Sequence, residues 1–144
     1  MLKFISLGSS SSGNCYYLGT NNAQILIDAG VSVRTLKTSL KEKGIMLTDI
    51  DAVFITHDHA DHIKAVGHLA NDFSLPIYAT EEVLLGINKN YCLTSKLTPE
   101  SMHFIHKSQT IEIADMRITA FSVPHDSSDC VGFSVETDSE IFLL

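Results

Sequence analysis

The run from Asp51 to His62, Asp-Ala-Val-Phe-Ile-Thr-His-Asp-His-Ala-Asp-His, constrains this chain more than any other segment. It begins as a short, nearly continuous apolar stretch, the pattern of a strand covered on both faces. The strand ends by delivering His57, and four potential ligands, His57, His59, Asp61 and His62, then fall within six residues. Helical geometry would place His57 and His59 on opposite faces. An extended strand end places i and i+2 on the same side, so both imidazoles can converge on one ion while Asp61 and His62 turn toward a second. Neutral imidazole suits Zn²⁺, Fe and Mn²⁺ to differing degrees, and a neighbouring carboxylate adds the charge that holds a divalent cation. The bland alternative is a set of capping and surface residues with coincidental spacing; at this chain's own His and Asp frequencies such a string arises by chance only about once in a thousand chains.

The flanking pattern gives the string its setting. After it, Ile63, Val66 and Leu69-Ala70 keep helical spacing up to Phe73, and Leu75 to Ala79 reads as a further strand. Strand, helix and strand in that order imply a crossover and a parallel pair. Upstream, a strand from Lys3 to Leu7 is expected to stop at the turn-forming Gly8-Ser9-Ser10-Ser11-Ser12-Gly13-Asn14. Cys15 to Leu18 and Ala23 to Ala29 read as a hairpin about Gly19-Thr20-Asn21-Asn22. Val33, Leu36 and Leu40 mark an amphipathic helix between Gly30 and Gly44. Thr80-Glu81-Glu82 opens a helix through Asn90, and short alternating runs follow: Met102 to His106, Thr110 to Ile113, Met116 to Val123, Val131 to Glu136 and Glu140 to Leu144. The fold class is α/β with mixed sheets.

With 144 residues, 44% hydrophobic and 19% charged, the chain carries enough apolar material for a packed core, and a domain of this size buries roughly 68–70% of its unfolded surface. No apolar run reaches the length of a membrane span and no signal-peptide pattern opens the sequence, so neither a span nor secretion is expected. Cys15, Cys92 and Cys130 lie far apart and outside any Cys-x-x-Cys spacing, which fits reduced thiols and a cytoplasmic protein. The formal charge of −7 argues against a general nucleic-acid stripe. Arg34, Lys37 and Lys41 share a helix face, however, and together with Lys64 form either phosphate contacts or a solvated surface.

His57-x-His59-x-Asp61-His62 after a buried strand, with Leu26-Ile27-Asp28-Ala29-Gly30 before it and Val123-Pro124-His125-Asp126 after it, resembles the metallo-β-lactamase fold superfamily. The Gly8-Ser9-Ser10-Ser11-Ser12-Gly13-Asn14-Cys15 segment and the stretch from His125 to Phe133 resemble its YycJ/WalJ (VicX) branch, bacterial proteins associated with DNA exonuclease activity. The resemblance implies the N-terminal half of a four-layered αββα sandwich. It also implies two divalent ions, Zn²⁺ first and Mn²⁺ or Fe as alternatives, with His57, His59 and His125 at the first and Asp61 and His62 at the second.

By the same resemblance Asp28 fixes a histidine or the loop near the site, with a turn-capping aspartate before Gly30 as the alternative. The family's bridging aspartate and final histidine lie beyond the segment matching Ile141 to Leu144, so residues 1–144 read as a domain truncated at its C-terminus, with the second metal site incomplete. The implied reaction is hydrolysis through a metal-bound hydroxide, in which ions lower the pKa of bound water toward ~7, with His59 and Asp61 carrying the chemistry. Three functions stay open: a phosphodiesterase acting on DNA as a 5′ exonuclease, a hydrolase of small esters or thioesters, and a non-enzymatic fragment that binds metal at most. If part of the sheet is missing, Ile141 to Leu144 becomes an apolar edge, open to pairing between two copies of the chain.

Overall fold

Alternation along the strands sorts the apolar side chains into two layers. In the third strand, β3 (Gln24–Ile27), Leu26 faces one way while Ile25 and Ile27 face the other, and in the fourth, β4 (Ala52–Phe54), Val53 parts from Ala52 and Phe54 in the same manner. The structure, a computed structural model, describes residues 2–10, 13–91, 93, 95–123 and 130–144. Among these, β3 and β4 lie at the middle of a six-stranded sheet with β1 (Lys3–Ser10), β2 (Gly13–Gly19), β5 (Ile77–Ala79) and β6 (Met102–Phe104), in the order β1-β2-β3-β4-β5-β6. The β1, β2 and β3 strands pair antiparallel, and β3 through β6 run parallel, as the crossover reading requires. A second, antiparallel sheet follows: β7 (Thr110–Ile113), β8 (Met116–Ser122), β9 (Val131–Glu136) and β10 (Ile141–Leu143), ordered β10-β9-β8-β7.

One apolar cluster fills the space between the two sheets, where Ile25, Ile27 and Phe54 meet Ile118, Ala120, Phe133 and Val135. Phe54 stands edge-on to Phe133 at 5.5 Å and stacks on Tyr78 at 4.8 Å. The other cluster lies on the opposite face of the first sheet. There Leu26, Val53 and Ile77 pack against α1 (Val33–Glu42), α2 (Ala60–Ile63), α3 (Val66–Asp72) and α4 (Glu81–Lys89), through Leu36, Leu40, Ile63, Val66, Leu69, Val83 and Ile87 among others. The resulting layers are helix, sheet and sheet, the arrangement expected of an αββα sandwich.

Local signals set the helix ends. The side chain of Ser32 accepts from the Thr35 amide to cap α1, and Gly44 takes the left-handed conformation just beyond it, with φ of +75°. Thr80 caps α4, with Glu81 and Glu82 in its first turn and Lys89 in its last.

Two expectations need correction. The serine-rich segment is not a long turn: β1 runs on to Ser10 and β2 begins at Gly13, with a register shift between Ser6 and Gly8. Glycines allow it, because a Cβ on Gly13 would come within 2.9 Å of the Gly30 carbonyl oxygen, so the hairpin can press against the turn after β3. The helix expected from Ile63 to Phe73 is two helices, α2 and α3, broken at Lys64-Ala65. The Ala65 amide is drawn out to the carbonyl of Ala29, 2.8 Å away, which ties the break to the same turn.

Candidate metal centre

The site forms at the carboxyl ends of β3 and β4, where open parallel sheets commonly present ligands. Ile27 and Phe54 are register partners, so the residues that follow them, Asp28 on one strand and Thr56-His57 on the other, emerge side by side. Asp28 is buried and has a φ of +63°, a left-handed conformation uncommon outside glycine but tolerated by aspartate. That turn is stitched to its surroundings through the backbone: the Asp28 amide donates to Phe54 O, Ala29 to His62 O, and Gly30 to Asn14 O. At Gly30 a Cβ would overlap the Asp61 carbonyl, so only glycine lets the two loops close.

His57, His59 and Asp61 each offer one ligand atom, and these atoms all lie within 4.8 Å of one another. Extended backbone at His59 (φ −70°, ψ 148°) precedes α2 and brings the i and i+2 imidazoles together, with ring centroids 4.6 Å apart. His62 adjoins them: its ring centroid is 3.6 Å from that of His57, and its Nε2 is 3.6 Å from Asp61 Oδ2. Burial, reinforced by the nearby His62, holds the His57 imidazole below its ordinary pKa. Around neutral pH it is uncharged, with a lone pair to offer. Two imidazoles and a carboxylate at such separations suit a divalent cation.

Asp28 does more than cap a turn. Its Oδ1 accepts from the Thr56 amide at 2.8 Å, and its Oδ2 accepts from the Thr56 hydroxyl at 2.8 Å and lies 2.7 Å from His62 Nδ1. A carboxylate can only accept, so the proton of neutral His62 sits on Nδ1 and Nε2 is left with its lone pair toward the cluster. Thr56, which the sequence did not single out, also ties the two sheets together, because its carbonyl accepts from the Val131 amide at 3.0 Å.

Asp58 is braced from α4. The Asn90 side chain donates to its carbonyl at 3.1 Å, and its carboxylate fills the space a Cβ would take at Gly86. His125 and its neighbours from 124 to 129 lie outside the described residues. Beyond them, Cys130 places its sulfur 3.9 Å from His57 Nδ1, and burial together with the Asp28 charge raises its thiol pKa. His68, His103 and His106 are exposed and stand apart from the cluster. The Lys37 ammonium lies over the Phe73 ring, 4.9 Å from its centroid.

A family model described as the beta-lactamase superfamily domain matches residues 23–143. The chain belongs to the metallo-β-lactamase fold superfamily. Within that superfamily its sequence groups with one branch: it is 33% identical over 142 residues to exodeoxyribonuclease WalJ of Streptococcus pneumoniae, covering 99% of this chain and 52% of the relative. Against exodeoxyribonuclease YycJ of Bacillus anthracis the identity is 30% over 143 residues, covering 99% and 53%. The chain thus spans about half the length of these curated relatives. Among solved structures it is similar to the Rm3 metallo-beta-lactamase, with a TM-score of 0.79 at 13% identity over 97% of this chain and 56% of that one. That likeness concerns the fold.

Proposed function

We propose that this chain carries the metal-binding part of a hydrolase that cleaves phosphodiester bonds of DNA from a 5′ end. The reading is carried by the convergence of His57, His59 and Asp61 at the carboxyl edge of the parallel strands, in a sequence whose relatives bear the name exodeoxyribonuclease. His57 and His59, with His125, hold a first ion, and Asp61 and His62 contribute to a second. Zn²⁺ suits the two-imidazole set best, with Mn²⁺ or Fe as alternatives. When bound, such ions supply Lewis acidity and an activated water for hydrolysis.

The chain's own residues set the stage for that chemistry. Asp28 orients His62 through Nδ1, and Thr56 in turn holds Asp28. Asp61, beside His62, would both ligate an ion and orient the attacking water, and His59 presents its imidazole from an extended strand end. The acidic net charge is no obstacle, because bound cations would offset part of it at the site, where Asp61 supplies a carboxylate.

No helix among the described residues is long and apolar enough to cross a membrane, and together with the scattered cysteines this supports work in the cytoplasm. Ile141 and Leu143 leave an apolar edge on β10, which supports self-association through that strand. The test is degradation of linear DNA bearing free 5′ ends by the full-length protein, which a chelator and the His59→Ala substitution should both abolish. Turnover of small esters or thioesters without nuclease activity would move the substrate to the other class.

A further inference from the structure

Asn14 touches this cluster from a third strand. It is the second residue of β2, and its backbone carbonyl accepts from the Gly30 amide at 2.8 Å. That bond pins it beside the turn that carries Asp28. Its side-chain Nδ2 lies 3.1 Å from Asp61 Oδ2, 3.3 Å from the Asp61 carbonyl and 3.4 Å from His62 Nε2. All three are acceptor atoms, given the tautomer that Asp28 imposes on His62, and an amide nitrogen is a donor with two hydrogens to share among them. Two of the three belong to the side chains assigned above to a second ion.

We propose that Asn14 is a positioning residue which sets the Asp61 carboxylate and the His62 ring for that ion before it arrives. The inference rests on the metal reading and goes beyond it. Asp61 needs such a partner. It is the second residue of α2, a helix of only four residues, and its side chain is 30% exposed, so a hydrogen-bond partner helps to select its rotamer. His62 is already fixed at Nδ1; the Asn14 contact at Nε2, long at 3.4 Å, uses the lone pair a metal would take and gives way to it, so the lasting hold of Asn14 is on Asp61, 3.1 Å away. Residue type matters here: an aspartate has the same shape but turns a carboxylate toward Asp61, while an alanine reaches neither acceptor. Gly13, the preceding residue, lets β2 approach the Gly30 carbonyl closely enough for the amide to reach.

The test compares the chain with its Asn14→Asp and Asn14→Ala variants by Zn²⁺ competition against a chromophoric chelator and by the visible spectrum of bound Co²⁺. Both variants should bind Zn²⁺ about 10- to 100-fold more weakly, the usual effect of losing a group that orients a ligand. Both should show an altered Co²⁺ spectrum while circular dichroism reports an unchanged fold. Variants that match the parent in affinity and spectrum would overturn the role of Asn14 and leave the metal site standing. A parent chain that takes up neither ion would overturn the site, and the role of Asn14 with it. Should both variants fail to fold, ¹⁵N NMR of the parent decides: the Asn14 side-chain amide signals should shift on Zn²⁺ addition, and signals that stay fixed while metal binds would overturn the proposal.

Discussion

Asp28→Asn isolates the orienting carboxylate with almost no change of shape. The Thr56 amide can only donate, so the remaining carbonyl oxygen must stay where Oδ1 was, 2.8 Å from it. The new NH₂ then occupies the Oδ2 position, between the Thr56 hydroxyl and His62 Nδ1. The hydroxyl can rotate and accept, whereas His62 can accept at Nδ1 only by moving its proton to Nε2, which blocks the atom that faces the cluster. Exchanging charge-assisted hydrogen bonds for neutral ones costs about 1 kcal/mol each, so three contacts place the fold roughly 3 kcal/mol below the parent. For a domain near this size that lowers the thermal midpoint by roughly 10 °C. Zn²⁺ affinity should fall about 10- to 100-fold through the wrong tautomer. Thermal unfolding by circular dichroism and chelator competition read the two effects separately. A folded Asp28→Asn chain that binds Zn²⁺ as the parent does, within twofold, would refute the tautomer argument.

Other perturbations test other parts of the account. Gly86→Ala, in α4, puts a methyl group where the Asp58 carboxylate lies; that side chain must swing away, while alanine favours the helix by about 1 kcal/mol over glycine, so the melting midpoint should change little and Zn²⁺ binding should weaken, because the displaced residue lies between His57 and His59. Phe54→Ala empties the contact with Phe133 and Tyr78 between the sheets; it should cost about 3–5 kcal/mol in a urea titration, and a loss below 1 kcal/mol would contradict the two-layer core. Burial raises the pKa of the Cys15 and Cys130 thiols, so less thiolate is present at a given pH. In the native chain both should react with iodoacetamide more slowly at pH 8 than a free cysteine peptide, Cys15 more slowly than Cys130, and Cys130 should speed up as the pH rises.

Much of this architecture was legible because its elements carry strong local signals. The parallel strands and their crossovers follow from short apolar runs alternating with helical spacing, and the Asp51 to His62 run announced both the buried strand β4 and the converging imidazoles. The misread portions are those where distant groups override local preference. The serine-rich stretch has the composition of a turn, yet β1 and β2 pair as far as Ser10 and Gly13, with Gly13 pressed close to the Gly30 carbonyl. The break between α2 and α3 has no proline or glycine to mark it, since its cause is the carbonyl of Ala29, far off in the sequence. Asp28 and Asn14 both lie in segments that carry the family resemblance, but only Asp28 has a side chain whose chemistry points to the site; Asn14 and Thr56 are ordinary residues by composition. Their parts in the site come from hydrogen bonds to partners that the fold, and not the sequence order, brings near.

Metal binding by the parent chain, measured alongside His59→Ala and His68→Ala, tests the central claim most directly. His68 is exposed and lies outside the cluster, so its loss controls for the general affinity of histidine for metal. The account predicts at least one tightly held Zn²⁺ per chain after dialysis, retained by His68→Ala and lost from His59→Ala. A parent chain that holds no Zn²⁺, or a His59→Ala chain that holds as much as the parent, would contradict it.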